Sequence, residues 1–528
     1  MKEQNRILTS LIAFLAVTGL NAQQIAPVPK LVVSVMIDQL RSDYLEAFSP
    51  LYLNDGFVRL LKEGRVYADA EYPVANIDRA AATATLYTGT VPYDHGVIAE
   101  KWLDRTTLRT VNCVDDPDFK GVNTTDCSSP KHLGVSTIGD ELKVATEGKA
   151  VVYSIAPFRD SAILAAGHAA DGAFWLDDIT GNWCSTSFYG TFPSWVSAYS
   201  TRHPLSLTVP KMVYQPSSEA VGTFNYFVSG GMKTPFKHAF SKEHPYLDYK
   251  SCALVNEEVT RMVESCLNTS TIGYDQVTDF LAVTYYAGNY NHDSVNLSPI
   301  EMQDTYVRLD ACIRDLLYAI DKRIGLDNTL LVLTSTGTVE NAKEDLAKYK
   351  IPQGTFYINR TSALLNMYFM AQFGPGQYVD AVYGNQIYLN HKLLEDKQLN
   401  IVDAMERAQE FLLQCSGVKD VYTSQRLTLG AWTPGISRIR NGFNPKCSGD
   451  IFIEVAPGWE LCNEDLQTTS QTRASYTEFP IIFFGYQIEG KKEYVSTSVD
   501  VIAPTLAHYM RIRAPNACST RPINDLRR

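Results

Sequence analysis

Strand-length apolar runs alternate with amphipathic helical stretches along this 528-residue sequence, which predicts an α/β fold: a doubly wound sheet with helices on both faces. Two segments carry the prediction. Residues 31–37 (LVVSVMI) form a continuous, β-branched run, as a strand covered on both faces requires. The run beginning Ser298-Pro299-Ile300-Glu301 has an N-cap serine, a proline at the first helical position and a glutamate three residues after the cap. Tyr306, Leu309, Ile313, Leu316, Leu317 and Ile320 then share one helical face.

Further strands of the same buried, parallel type are expected at 151–155, 280–285, 329–333, 451–455 and 481–484. Residues 364–422 carry their own helix at 401–413 between short apolar runs, and read as a small α/β subdomain inserted in a main domain spanning 23–528. Functional groups of such folds gather at the carboxyl ends of the strands.

Residues 1–22 read as a secretion signal. Lys2 and Arg6 precede the apolar run 7–17, and Ala22 offers a small residue at a cleavage point. No stretch reaches transmembrane length, so the chain is expected to be exported to the periplasm or the outer surface. With 58 acidic against 47 basic residues, a net charge of -11 excludes a nonspecific nucleic-acid binder. Ten cysteines in an exported chain predict disulfides, and Cys113/Cys127, Cys252/Cys266 and Cys447/Cys462 are close enough to clip loops. None forms the CxxC that thiolate zinc sites favour.

Five segments resemble the PafA-type (phosphate-irrepressible) alkaline phosphatases, in the nucleotide pyrophosphatase/phosphodiesterase branch of the alkaline phosphatase superfamily. They are KLVVSVMIDQLRSDYL (30–45), ATLYTGTVPYDHGVIAEKWLDR (84–105), AILAAGHAADGAFWLDDITGNW (162–183), DTYVRLDACIRDLLYAIDKRIG (304–325) and FPIIFFG (479–485). The resemblance spans the mature chain. It implies the alkaline phosphatase fold and phosphoryl transfer by a threonine nucleophile between two zinc ions, which clamp the attacking and leaving oxygens.

The positions that the resemblance assigns to this chemistry are mostly substituted. Asp38 keeps the metal-binding aspartate at the end of the first strand. Arg79 fills the nucleophile position, and a guanidinium stays protonated. Glu100 replaces the asparagine that contacts phosphate, and Phe158 and Asp160 replace the Lys-x-Arg clamp, with Arg159 between them. The Asp-x-x-x-His metal pair reads as Asn289 and Asp293, or one residue earlier as Gly288 and His292. Thr336 and Gly337 stand where the family has Asp-His, and Glu478 where it has its last histidine.

These substitutions predict an exported pseudophosphatase with no catalytic residue and no cofactor, acting as a binding or assembly component with an unidentified protein partner of the envelope. The alternative is an active metal-dependent phosphomonoesterase or phosphodiesterase that binds zinc. Arg79 is expected to pair with Asp38 or Glu100, offsetting the unfavourable place of a cation at the start of a helix. Asn289, Asp293 and Glu478 could offer calcium or magnesium an oxygen-rich remnant site. His95 and His168 read as packing histidines, and Thr83 and Thr85 as helix hydroxyls bonded to the preceding turn.

Overall fold

The computed structural model describes residues 27–218, 221–222, 235–292, 299–338, 350–430, 433–471 and 477–526. The proposed secretion signal and Asp293 lie outside the described residues. From the N-terminus the chain forms β1 (Leu31–Asp38), β2 (Arg65–Glu71), α1 (Arg79–Thr88), β3 (Lys101–Asp104), β4 (Arg109–Asn112), α2 (Ile138–Ala145), β5 (Val152–Ile155) and α3 (Arg159–Ala166). It continues through β6 (Gly172–Leu176), α4 (Pro245–Lys250), α5 (Leu254–Thr269), β7 (Asp279–Tyr286), α6 (Pro299–Arg323) and β8 (Thr329–Ser335). A second unit follows: α7 (Ile358–Phe373), β9 (Val379–Tyr383), β10 (Gln386–Leu389), α8 (His391–Asp396), α9 (Ile401–Leu412), β11 (Val418–Thr423) and β12 (Ile451–Val455). Strand β13 (Phe479–Gly485) and helix α10 (Ile502–Met510) return to the main body.

The central part of the main sheet runs β2-β13-β8-β1-β7-β5-β6. Strand β1 is parallel to β7 and β8 and wholly buried, which explains its uninterrupted apolar sequence. Its odd residues Leu31, Val33, Val35 and Ile37 pack with Val259 and Met262 of α5 and Leu309, Ile313 and Leu316 of α6. Its even residues Val32 and Met36 pack with Ala82 and Leu86 of α1, Ile138 and Leu142 of α2, and Leu506 of α10. Helices therefore cover both faces, as the alternation of elements predicts. The six residues assigned to the inner face of α6 are all buried.

Three expectations need correction. Strand β13 pairs antiparallel with β8 and β2, since an apolar run shows burial but not direction. Strand β12 belongs to a separate antiparallel sheet ordered β9-β10-β12-β11. Its alternating burial marks a strand covered on one face, and its place extends this unit well beyond 364–422. Finally, all ten cysteines are free thiols. Cys252 precedes α5 and Cys266 lies near its end, so a helical rise of about 1.5 Å per residue keeps them far apart. Cys113 and Cys184 are fully buried among apolar side chains and act as small hydrophobes.

Candidate functional site

A cleft of about 1360 Å³ opens at the carboxyl edge of the main sheet. Its floor comes from the chain leaving β1 (Asp38, Gln39), β5 (Phe158, Asp160) and β8 (Thr338), with Arg79 from the start of α1. Residues 297 or more apart in sequence meet here because the three strands end together.

Asp38, with a side chain 3% exposed, accepts hydrogen bonds from Thr336 Oγ1 at 2.8 Å and Thr338 Oγ1 at 3.2 Å. Thr336 in turn accepts from the Gln39 amide at 3.1 Å. Asp38 therefore has hydroxyl partners on one oxygen, and its other oxygen lies 3.6 Å from Arg79 Nη1.

Arg79 is the first residue of α1, and its side chain is 17% exposed. Its guanidinium grips Asp160 through two bonds, at 3.1 and 3.2 Å, and lies 3.6 Å from Glu100. The Phe158 ring stacks beneath it at 3.9 Å. Burial opposes the guanidinium's charge, but Asp160, Asp38 and Glu100 outweigh burial and raise its pKa. Three acids thus offset both desolvation and the unfavourable helix dipole. Asp160 was not among the partners expected for Arg79, yet it makes the best geometry.

The walls carry residues that sequence reasoning missed. Asp78 caps α1, accepting from the Ala81 amide at 2.9 Å, and also accepts from the Glu100 amide. Burial pushes its carboxyl up to about 6 against the pull of those donors. An aspartate directly before a helical run is an N-cap signature, so this role was readable. Lys250 of α4 and Asp178 form an ion pair on another wall, and Lys250 also donates to the Leu176 carbonyl at 2.8 Å. No local signal marks Lys250, which depends on where α4 docks. Arg159 turns away from Arg79 to bind Asp115 at 2.9 Å and Ser128 at 3.1 Å. In all, eight carboxylates and four side-chain cations line the cleft.

The remaining sequence candidates are dispersed. Gly337 adopts φ +67, and a side chain there would press into Phe479 and Tyr72, so it is a tight turn under aromatic cover. Asn289 is buried with neither side-chain oxygen nor nitrogen partnered, Glu478 is exposed, and neither lines the cleft. His292, from the alternative register, does line the cleft, with Nδ1 3.2 Å from the Tyr286 hydroxyl. Among the described residues no group of three or more His, Cys, Asp or Glu side chains is placed to hold a metal ion.

His95 sits fully buried between Thr85 Oγ1 and the Val97 amide, each at 3.2 Å, and His168 binds Asp140 at 3.1 Å. Both are outside the cleft lining. Thr83 bonds back to the Arg79 carbonyl at 2.7 Å as expected, whereas Thr85 bonds to His95 instead.

Comparison with known proteins places the whole. A model of the type I phosphodiesterase / nucleotide pyrophosphatase family matches residues 32–478. The alkaline phosphatase PafA of Elizabethkingia meningoseptica is 28% identical across 98% of both chains. A Myroides odoratus protein named calcium-transporting ATPase is 30% identical across 99% of both. The crystal structure of wild-type PafA superposes with a TM-score of 0.82 at 26% identity, covering 96% of this chain and 100% of that one. The chain therefore belongs to the type I phosphodiesterase / nucleotide pyrophosphatase family, in its PafA-type alkaline phosphatase branch.

Proposed function

We propose that this protein is an exported pseudophosphatase: a family member whose cleft has given up phosphoryl transfer and which acts as a binding or assembly component in the cell envelope. The observation that carries this reading is the Arg79 guanidinium, held by Asp160, Asp38 and Glu100 at the floor of the cleft. A permanently protonated group cannot attack phosphorus, and it repels a metal cation from the carboxylate it neighbours.

Zinc is the metal that the resemblance implies, and the described residues do not fit it. Zinc needs about four ligands in tetrahedral array, drawn mainly from imidazole, thiolate and carboxylate. Asp38 instead faces a guanidinium and two hydroxyls. Glu100 and Asp160 would also repel a phosphate ester unless Arg79 were freed from them. Asn289 and Glu478 do not line the cleft and so offer calcium or magnesium no ligands there.

The competing reading is an active metal-dependent phosphatase or phosphodiesterase, favoured by relatives named alkaline phosphatases that match nearly the full chain. Metal analysis separates the two. After dialysis against zinc and removal of the excess, we expect far less than one zinc per chain, and likewise for calcium and magnesium. Two tightly held zinc ions per chain would refute the pseudophosphatase reading.

A further inference from the structure

The β3–β4 hairpin forms one wall of the cleft, to which it contributes Lys101, Thr110 and Asn112. Its tip reaches the second unit. Arg105, in the connecting turn, donates to both oxygens of Asp450, at 2.9 and 3.2 Å, and to the Ser448 carbonyl at 3.0 Å. Asp450 lies directly before β12, is 5% exposed, and accepts from the Leu389 amide at 2.7 Å. His391, the first residue of α8, brings Nε2 to 2.8 Å from Asp450 Oδ1 and 2.9 Å from Arg105 Nη1.

Those last two contacts cannot both be hydrogen bonds. A guanidinium only donates, and an ionised carboxylate only accepts. With Nε2 bare, His391 accepts from Arg105 and opposes Asp450 lone pair to lone pair. With Nε2 protonated, it donates to Asp450 and meets Arg105 donor to donor. A neutral ring can choose between these tautomers; a doubly protonated ring cannot, and it sets a second positive charge against the guanidinium.

We propose that this junction is an acid-released clasp, in which protonated His391 displaces Arg105 from Asp450 and frees the hairpin wall of the cleft. Besides Arg105 and Asp450, Asp380 of β9 interacts with the histidine, while Lys392 and Glu395 stand within a turn on α8 itself. Protonated Nε2 donates to Asp450 Oδ1, the same oxygen on which Arg105 makes the longer of its two bonds, so Arg105 is the group that leaves. Release reaches the cleft because the same hairpin contributes Lys101, Thr110 and Asn112 to its lining. The inference does not depend on whether the cleft performs chemistry.

The test is hydrogen exchange of the full chain at pH 8 and pH 5.5, corrected for intrinsic rates and referenced to β1 amides. Protection of the β3–β4 amides is expected to fall about three- to tenfold at pH 5.5, the effect of losing one partly exposed ion pair. His391→Gln, at a side chain 49% exposed, is expected to remove most of that fall without unfolding the protein. Arg105→Gln is expected to give low protection at both pH values. Equal wild-type protection at the two pH values overturns the proposal. So does a His391→Gln variant that keeps half or more of the fall, or an Arg105→Gln variant protected like wild type at pH 8.

Discussion

At the scale of single residues, one cation explains how three acids share a cleft floor. Removing it leaves Asp38 and Asp160, both nearly buried, without their counter-charge. Arg79→Ala should therefore lower unfolding stability by about 3–5 kcal/mol in chemical denaturation, the range for breaking a buried ion pair. Pairing Arg79→Met with Asp160→Asn should recover the part of that loss that comes from Asp160, because a neutral group needs no counter-charge, and leave the part that comes from Asp38; a double variant as unstable as the single one would contradict this. Arg79, Asp38 and Glu100 were readable because sequence motifs fixed their places on a known scaffold. Asp160 was readable as a position but not as the main partner, since only the turn from β5 into α3 brings its carboxylate onto the guanidinium.

His95 supplies a second residue-scale prediction. Burial lowers its pKa to about 3 from 6.5, so the unfolded chain binds a proton more readily between those values. Its Nδ1 accepts from the Val97 amide and has no room for a proton. The His95 contribution to stability must then fall as pH drops below 6.5, by about 1.4 kcal/mol for each pH unit once the unfolded histidine is protonated. His95→Gln should remove that contribution, changing the slope of stability against pH by about the same amount in urea titrations between pH 4 and 6.5; an unchanged slope would contradict it.

At the scale of elements, α1 and the base of the β3–β4 hairpin are joined by Asp78. Its carboxyl is raised from 3.8 to about 6 by burial, so the folded protein binds the extra proton in that window. The Asp78 contribution is therefore present at low pH and lost as pH rises toward 6, opposite in sign to His95. Asp78→Asn, which keeps an acceptor for a backbone amide, should remove this pH dependence. Asp78→Ala should cost about 1 kcal/mol as a lost cap, and more through the unsatisfied Glu100 amide. Thermal melts across pH 4–7 distinguish the two variants. The elements themselves were the most legible part of the chain: β1, α6 and β7 announce themselves by burial patterns that local sequence must carry. Direction and sheet membership were not legible. Strands β12 and β13 read as apolar runs, and only long-range pairing sends one to the second unit and turns the other antiparallel.

At the scale of the whole molecule, the family's packing is retained around a cleft whose floor is occupied by Arg79 and its acidic partners. Both faces of the main sheet carry extensive apolar cores, which hold the strands that position the cleft. The cleft's remaining features came from elements that no motif links, such as Lys250 and Asp178, and so could not be read from the chain alone. Purified protein should hydrolyse a generic aryl phosphate no faster in zinc-containing buffer than after chelation, and both rates should match the buffer blank. Steady turnover that zinc sustains and a chelator abolishes would contradict it.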